Sequence, residues 1–233
     1  MSRLHSNAPP HPLSDTKRIV AAAFGLPWDE IFDDFDPAPL GVGAIAQVYK
    51  ARLRPGLQPP PPETRSDFRA RLQSDVVGLV KSGPGAGPPP GCHVAVKVVH
   101  PGVERMVARD LRIMRFFARL LDRVPTLEWL SLPDEVVVFG DMMRQQMDLR
   151  IEAENLARFR ENFRERRTVA FPTPYREYCT REMLVEEFAH GVPLSAFLTA
   201  GAGCYRHEMA NMGLNAFLVP STPPSPFPSQ LRR

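Results

Sequence analysis

HVAVKVVH, residues 93–100, sets Val94, Val96 and Val98 on one side of an extended chain and Ala95, Lys97 and Val99 on the other. Its β-branched residues predict a short strand, and Pro101 with Gly102 ends it. Lys97 is the anomaly in that strand. An ammonium flanked by Ala95, Val96, Val98 and Val99 meets an apolar sheet face, where lost hydration disfavours charge unless an anion lies close. Burial preferences alone favour a lysine that simply reaches water from an edge strand. Yet only Lys17, Lys50, Lys81 and Lys97 among 29 basic residues are lysine, so a lysine inside a valine run is an unusual choice for this chain.

Upstream, PLGVGAIAQVYKARL (39–53) reads as strand, tight turn and strand. Glycines there let a backbone approach a ligand, and their amides can cradle phosphate, although Gly-x-Gly alone is more often a plain hairpin turn. A proline-rich stretch, 55–91, reads as an insertion within a hairpin, with a weak helical or strand segment between Ser66 and Val80. Nearer the start, TKRIVAAAFGL carries Ile19, Ala22, Ala23 and Leu26 at helical spacing, closed by Gly25 and Pro27. Met1 to Pro12 holds three prolines and no apolar run, so no targeting address is readable there.

Downstream, Val103 to Val124 predicts a helix with Val107, Leu111, Met114 and Leu121 facing a core and arginines elsewhere. Beyond Pro133 a long helix is expected from Asp134 to Arg166, with Asp134 as its N-cap. At about 100° per residue Glu152 falls on the apolar arc of Leu149, Ala153 and Leu156, away from Glu154, Glu161 and Glu165. A glutamate snorkelling at the rim would be ordinary. A buried Glu152 paired with Lys97 would resolve both anomalies together. Phe171 to Tyr178 reads as a connector and MLVEEF (183–188) as a strand. A short helix follows Gly191, another lies around His207 to Leu218, and the proline-rich 219–233 reads as a disordered tail.

The 233-residue composition, 43% apolar and 24% charged, excludes wholesale disorder, collagen and a bare coiled coil. No apolar run approaches the ~20 residues of a membrane-spanning helix. Cys92, Cys179 and Cys204 form no CxxC, which argues against a disulfide framework and against cysteine zinc ligation. The net charge of +3 is mild. The arginines from Arg105 to Arg123 are interleaved with Glu104, Asp110 and Asp122, the pattern of a solvated helix face.

Taken in order, a glycine turn, a strand lysine and a helix glutamate form the phosphate-binding half of a kinase. PLGVGAIAQVYKA, VAVKVVHPGVERMVARDLRIMR, MDLRIEAENLARFRENF and MLVEEFAHGVPL together resemble the AarF/UbiB atypical kinase family over roughly Pro39 to Leu218. The resemblance implies an α+β fold: a kinase-like small lobe of antiparallel strands with helices, followed by an incomplete large lobe. It implies an N-terminal segment at 1–38, a small lobe at 39–188, and a hinge with the start of a large lobe at 189–218. It assigns ATP contact to Gly41, Gly43, Ala44 and Lys97, the ion pair to Glu152, and the adenine-side hinge to Glu186 through Phe188.

The family's Lys-x-Gly-Gln motif has no counterpart upstream of the turn, and Gln146-Met147-Asp148 stands where the family carries Glu-x-Asp. No aspartate follows Asp148, so the catalytic-loop and magnesium-holding aspartates of a kinase have no candidates. The expectation is a truncated or alternatively spliced chain, weak for ATP, without a Mg2+ site and without turnover. Its parent activity would be kinase or ATPase chemistry supporting mitochondrial coenzyme Q metabolism, with mitochondrial membrane or quinone-biosynthesis proteins as partners. Two other classes stay open: a pseudokinase-like regulatory fragment, and a binder of anionic membrane, or less favourably nucleic acid, through the arginine helix.

Overall fold

A computed structural model of the chain describes residues 9–58, 93–124, 130–164, 166, 169–191 and 210–214. They belong to two units, one of residues 1–157 with 172–188 and one of residues 158–171 with 189–233.

The first unit is built on an antiparallel sheet. Helix α1 (Leu13–Phe24) and a single turn, α2 (Trp28–Ile31), lead into β1 (Phe32–Phe35), β2 (Gly41–Val42), β3 (Ala46–Leu53) and β4 (His93–Val99). Helices α3 (Val103–Leu121), α4 (Leu132–Gln146) and α5 (Leu149–Asn162) follow, and β5 (Met183–Glu187) closes the sheet. Strand order is β1-β3-β4-β5, with β2 also on β3. The long β3–β4 ladder runs from Ala46↔Val99 to Arg52↔His93 and makes the central hairpin expected around the proline-rich insertion. The insertion opens with a 3-10 turn at Pro55–Leu57, and its residues 59–91 lie outside the described residues.

Period-two alternation gives the sheet two faces. Ala51, Leu53, Val94, Val96, Val98, Met183 and Val185 form one core with Ile19 and Val20 of α1. On the other face Ala46, Val99 and Leu184 pack with Val103, Met147, Leu149 and Ala153. Each fully buried valine or leucine contributes about 1.5–3 kcal/mol by leaving water, so both faces anchor the strands.

Helix α1 ends where the sequence says it should, at Gly25 with φ +68°, whose amide donates to Ala21 O at 2.9 Å. The sequence reading missed β1. FDDF has no alternation, but a register shift between Phe32 and Asp34 lets both phenylalanines join the core side, where Trp28 meets Phe32 at 4.9 Å and Phe35 at 4.7 Å.

Two helix expectations need correction. In α3 the residues that bury are Val103, Leu111 and Ala118, whereas Met114 and Leu121 are 41% and 43% exposed. Leu111 faces Gly140 of α4, where an added Cβ would come within 3.2 Å of its side chain, so glycine permits this close helix approach. The single helix from Asp134 to Arg166 is two helices. The break falls at Met147-Asp148, where buried Met147 fills the second core, Asp148 Oδ1 caps α5 by accepting from Arg150 N at 3.1 Å, and Leu149 N donates to Arg181 O at 3.1 Å. Ser131 at φ +45°, not Asp134, precedes α4.

In the second unit the Phe171 ring stacks on Phe159 at 5.3 Å, and Arg160 Nη1 donates to Phe171 O at 2.8 Å. Residues 210–214 include a helical stretch within the helix expected at 207–218. The short helix after Gly191 and the 219–233 tail lie outside the described residues.

Candidate nucleotide-binding site

The alternation that buries Val94, Val96 and Val98 turns Lys97 to the opposite face, beside Val48 of β3 and Leu184 of β5 in the ladder. Across that face α5 presents Glu152, and Lys97 Nζ donates to both carboxylate oxygens at 2.7 Å. Pairing therefore occurs as the two sequence anomalies suggest. Burial does not: the side chains are 28% and 41% exposed, leaving the pair half open to solvent. Glu152 sits one turn into α5, and the break before Leu149 aims that turn at the sheet. Each half-exposed partner keeps part of its hydration, so the pair holds a geometry at modest cost.

Glu186 shares this face, because Ala95 of β4 lies opposite it and the next residue facing the same way is Lys97. Burial pushes its carboxyl up to about 7, the Glu152 charge pushes the same way, and Lys97 opposes both. Two acids and one lysine thus share a small half-dry region, and a neutral Glu186 keeps the cluster near charge balance. Glu187 points to the other face. It is buried and accepts from Thr173 Oγ1 at 2.9 Å.

Phe188 lies just past β5 with its amide donating to His93 O at 3.2 Å. Its ring is 5.0 Å from Lys50 Nζ. Lys50 is a site-facing cation that the sequence reading passed over, although Ala46, Val48, Lys50 was a period-two series already in view. Ala95, opposite both Lys50 and Glu186, gives the face its small floor between the charges.

The glycine turn joins β2 to β3. Gly41 is opposite Val48, itself opposite Lys97, so the turn's strand lies two ladder steps, about 10 Å, from the lysine backbone. Gly43 N donates to Ala46 O at 2.8 Å, and a Cβ on Gly43 would stand 3.3 Å from that oxygen. Gly43 is needed for closeness, whereas a Cβ on Gly41 would meet nothing within 4 Å. Ala44 is exposed at the turn's tip. Among the described residues nothing accepts from the amides of Ala44 and Ile45.

These residues fit the polyphosphate of a nucleotide: amides at a tight turn, a lysine fixed by a glutamate, and a shallow apolar floor. Among the described residues no group of three His, Cys, Asp or Glu side chains is placed to hold a metal ion. Asp148, at the position of the family's Glu-x-Asp, is instead bound by Arg150, which holds its carboxyl below the usual carboxylate range.

Comparison with known proteins places the chain in a family. The ABC1 atypical kinase-like domain matches residues 3–58 and 86–221. A mitochondrial ABC1 family protein of Schizosaccharomyces pombe is 43% identical over 217 residues, covering 93% of this chain and 30% of the relative. One from Saccharomyces cerevisiae is 37% identical over 200 residues, covering 85% of this chain and 27% of its own. The chain thus spans under a third of the length of these relatives. A Mycobacterium tuberculosis protein solved with erythromycin superposes with a TM-score of 0.56 at 23% identity, covering 83% of this chain and 39% of that one, a likeness of fold. The fold is an α+β, protein-kinase-like small lobe, and the chain belongs to the ABC1 (AarF/UbiB) atypical kinase family.

Proposed function

We propose that this chain is a nucleotide-binding small lobe of a mitochondrial ABC1 kinase, and that the parent activity is ATP-dependent phosphoryl transfer or hydrolysis supporting coenzyme Q metabolism. The observation that carries the reading is the two-pronged Lys97–Glu152 contact at 2.7 Å beside the glycine turn. Mitochondrial placement rests on the names of two relatives. The quinone link rests on family resemblance, as does a finer likeness: the Gly-rich rather than Ala-rich turn is most similar to that of vertebrate mitochondrial AarF domain-containing kinase 2.

A bound nucleoside triphosphate would supply the transferable phosphoryl group. Lys97 would hold its phosphates, with Glu152 keeping the ammonium aimed, while the amides of Ala44 and Ile45, which no acceptor among the described residues takes, would bind phosphate oxygens. Gly41 and Gly43 would let the backbone come close, and Glu186 through Phe188 would border the base. No aspartate follows Asp148 in this sequence, so the catalytic-loop and magnesium-holding aspartates of the kinase template have no counterpart among these residues. This chain by itself is therefore a weak ATP binder that does not turn over. Titration calorimetry with ATP tests the reading. Binding that falls at least about tenfold in Lys97→Ala supports it, since that is the scale of one charge-assisted phosphate contact. Equal binding by both proteins, or hydrolysis by the wild type above the Lys97→Ala background, would sink it.

A second reading is favoured by α3. Met106, Ile113, Phe116, Phe117 and Leu120 are 50–65% exposed among the arginines of the same helix. Exposed apolar side chains with a guanidinium fringe suit an anionic lipid surface better than a nucleic acid, where the apolar part would have no partner. Co-sedimentation with anionic but not neutral vesicles, weakened by Phe116→Ser with Phe117→Ser, is the expected result. Equal pelleting with both vesicle types removes this reading.

A further inference from the structure

A second polar cluster lies on the far side of the sheet from Lys97 and ends on the glycine turn. Gln47 Oε1 accepts from His11 N at 3.1 Å, so its amide nitrogen is the donor, to His11 O at 3.2 Å and to Tyr49 Oη. Tyr49, having accepted, donates to Thr16 Oγ1 at 3.1 Å. Thr16 then donates to His11 Nε2 at 2.8 Å. That leaves the His11 proton on Nδ1, which donates to His100 Nδ1 at 2.7 Å. His100 in turn carries its proton on Nε2 and donates to Gly43 O at 2.9 Å.

The directions are fixed from the two ends: the main-chain groups of His11 orient Gln47, and the Gly43 carbonyl, which can only accept, puts the His100 proton on Nε2 and so makes its Nδ1 the acceptor from His11. Gln47, Thr16 and Tyr49 are at most 1% exposed, so none can exchange its partner for water. His100 holds the turn a second time, its backbone amide donating to Ile45 O at 2.8 Å. With the carbonyls of Gly43 and Ile45 both held by His100, the Ala44 and Ile45 amides are the turn's donors left for a ligand.

We infer that His11 and His100 are positioning residues, which hold the Gly43–Ala46 turn in its phosphate-ready shape from outside the pocket. The consequence for affinity rests on the nucleotide reading above; the hold on the turn does not. The relay needs both imidazoles neutral, and burial, helped by neighbouring His100, pushes His11 down to about 4, with Asp15 opposing. Releasing the turn costs affinity in proportion to the fraction of molecules whose turn is still correctly shaped.

The test uses the full chain in two arms. Hydrogen exchange without ligand compares the amides of Gly43 and His100 with those of Val96 and Val98 in the sheet centre. His11→Phe should speed the first pair about tenfold and leave the second pair unchanged, a local opening rather than a global loss of stability. His100→Phe should do the same, and it answers the question if His11→Phe does not fold. His100→Gln, which keeps a donor for Gly43 O, should restore much of the protection. In the second arm ADP binding should weaken about tenfold in His11→Phe and recover in His100→Gln. Unchanged Gly43 and His100 exchange in the phenylalanine variants, or uniform acceleration at all four amides, overturns the hold on the turn. Wild-type protein that fails to bind ADP while the exchange pattern appears as expected removes the nucleotide reading and the affinity consequence, and leaves the positioning role established.

Discussion

One sheet carries polar clusters on both faces, and they are built on opposite terms. On the Lys97 face the groups are charged and the central pair is 28% and 41% exposed. On the His11 side Thr16, Gln47 and Tyr49 are essentially sealed, none carries charge, and each hydrogen bond determines the next. The charged cluster stays half wet because two carboxylates and an ammonium could not all be dried without loss. The neutral cluster can be dry because every donor has an acceptor. A binding face needs the first arrangement, with unspent charge and access; a brace needs the second.

Proton linkage separates the two faces most sharply. Glu186 in the folded state keeps its proton up to about 7, against 4.5 for the free side chain. Between those values the folded protein binds more protons than the unfolded one, so this group lowers stability as pH rises from about 4.5 to about 7. At about 1.4 kcal/mol per unit the loss is on the order of 3 kcal/mol. His11 has the opposite sign, since its folded value is about 4 against 6.5. There the unfolded chain binds more protons, and stability falls as pH drops from 6.5 toward 4. The two slopes oppose each other over their shared range, and the wild type should look flat there. Glu186→Gln should be more stable than wild type above pH 7 and should unmask a fall in stability on acidification. Urea midpoints from pH 4 to 8 check this, and a profile parallel to that of the wild type would contradict it.

The brace should be the costlier place for an apolar substitution at constant pH. Gln47→Leu removes the donor to Tyr49 and strands the amide and carbonyl of His11, a loss of about 2 kcal/mol for groups left without partners. A surface-facing control, Gln145→Leu on α4, should change the midpoint by less than about 0.5 kcal/mol. If Gln47→Leu matches that control, the network is incidental to stability.

How much of this could be read in advance follows the range of the interactions. Strands β3 and β4, the turn between β2 and β3, and the pairing of Lys97 with Glu152 came from local alternation and one helical arc, patterns a few residues wide. Strand β1 was hidden by its bulge, which replaces alternation with a spacing of three between Phe32 and Phe35. The break between α4 and α5 depends on the Arg181 carbonyl, far along the chain, and so leaves little local mark beyond Asp148. Least legible was the brace: His11 meets Gln47 36 residues on and His100 89 residues on, distances over which no periodicity speaks. Lys50 was legible and overlooked, since it continues the Ala46, Val48 series.

The smallest expected effect concerns the Lys97–Glu152 pair itself. Were the pair buried, removing one partner would cost about 3–5 kcal/mol, because the other charge would be stranded in a dry site. Observed exposure changes that expectation: water reaches both side chains, and either can be rehydrated when its partner leaves. A double-mutant cycle of Lys97→Met and Glu152→Gln, read by urea unfolding at pH 8, where Glu186 is ionised, should return a coupling of about 1 kcal/mol, the upper range for solvent-accessible pairs. The same cycle at pH 5.5, with Glu186 protonated, should return a larger value, because Glu186 no longer competes with Glu152 for the ammonium. A coupling that is near zero at both pH values would mean that the pair contributes nothing to folding. A coupling above about 3 kcal/mol would mean that the site is drier than its exposure indicates, and that the face carrying Lys97 is built like the brace rather than in contrast to it.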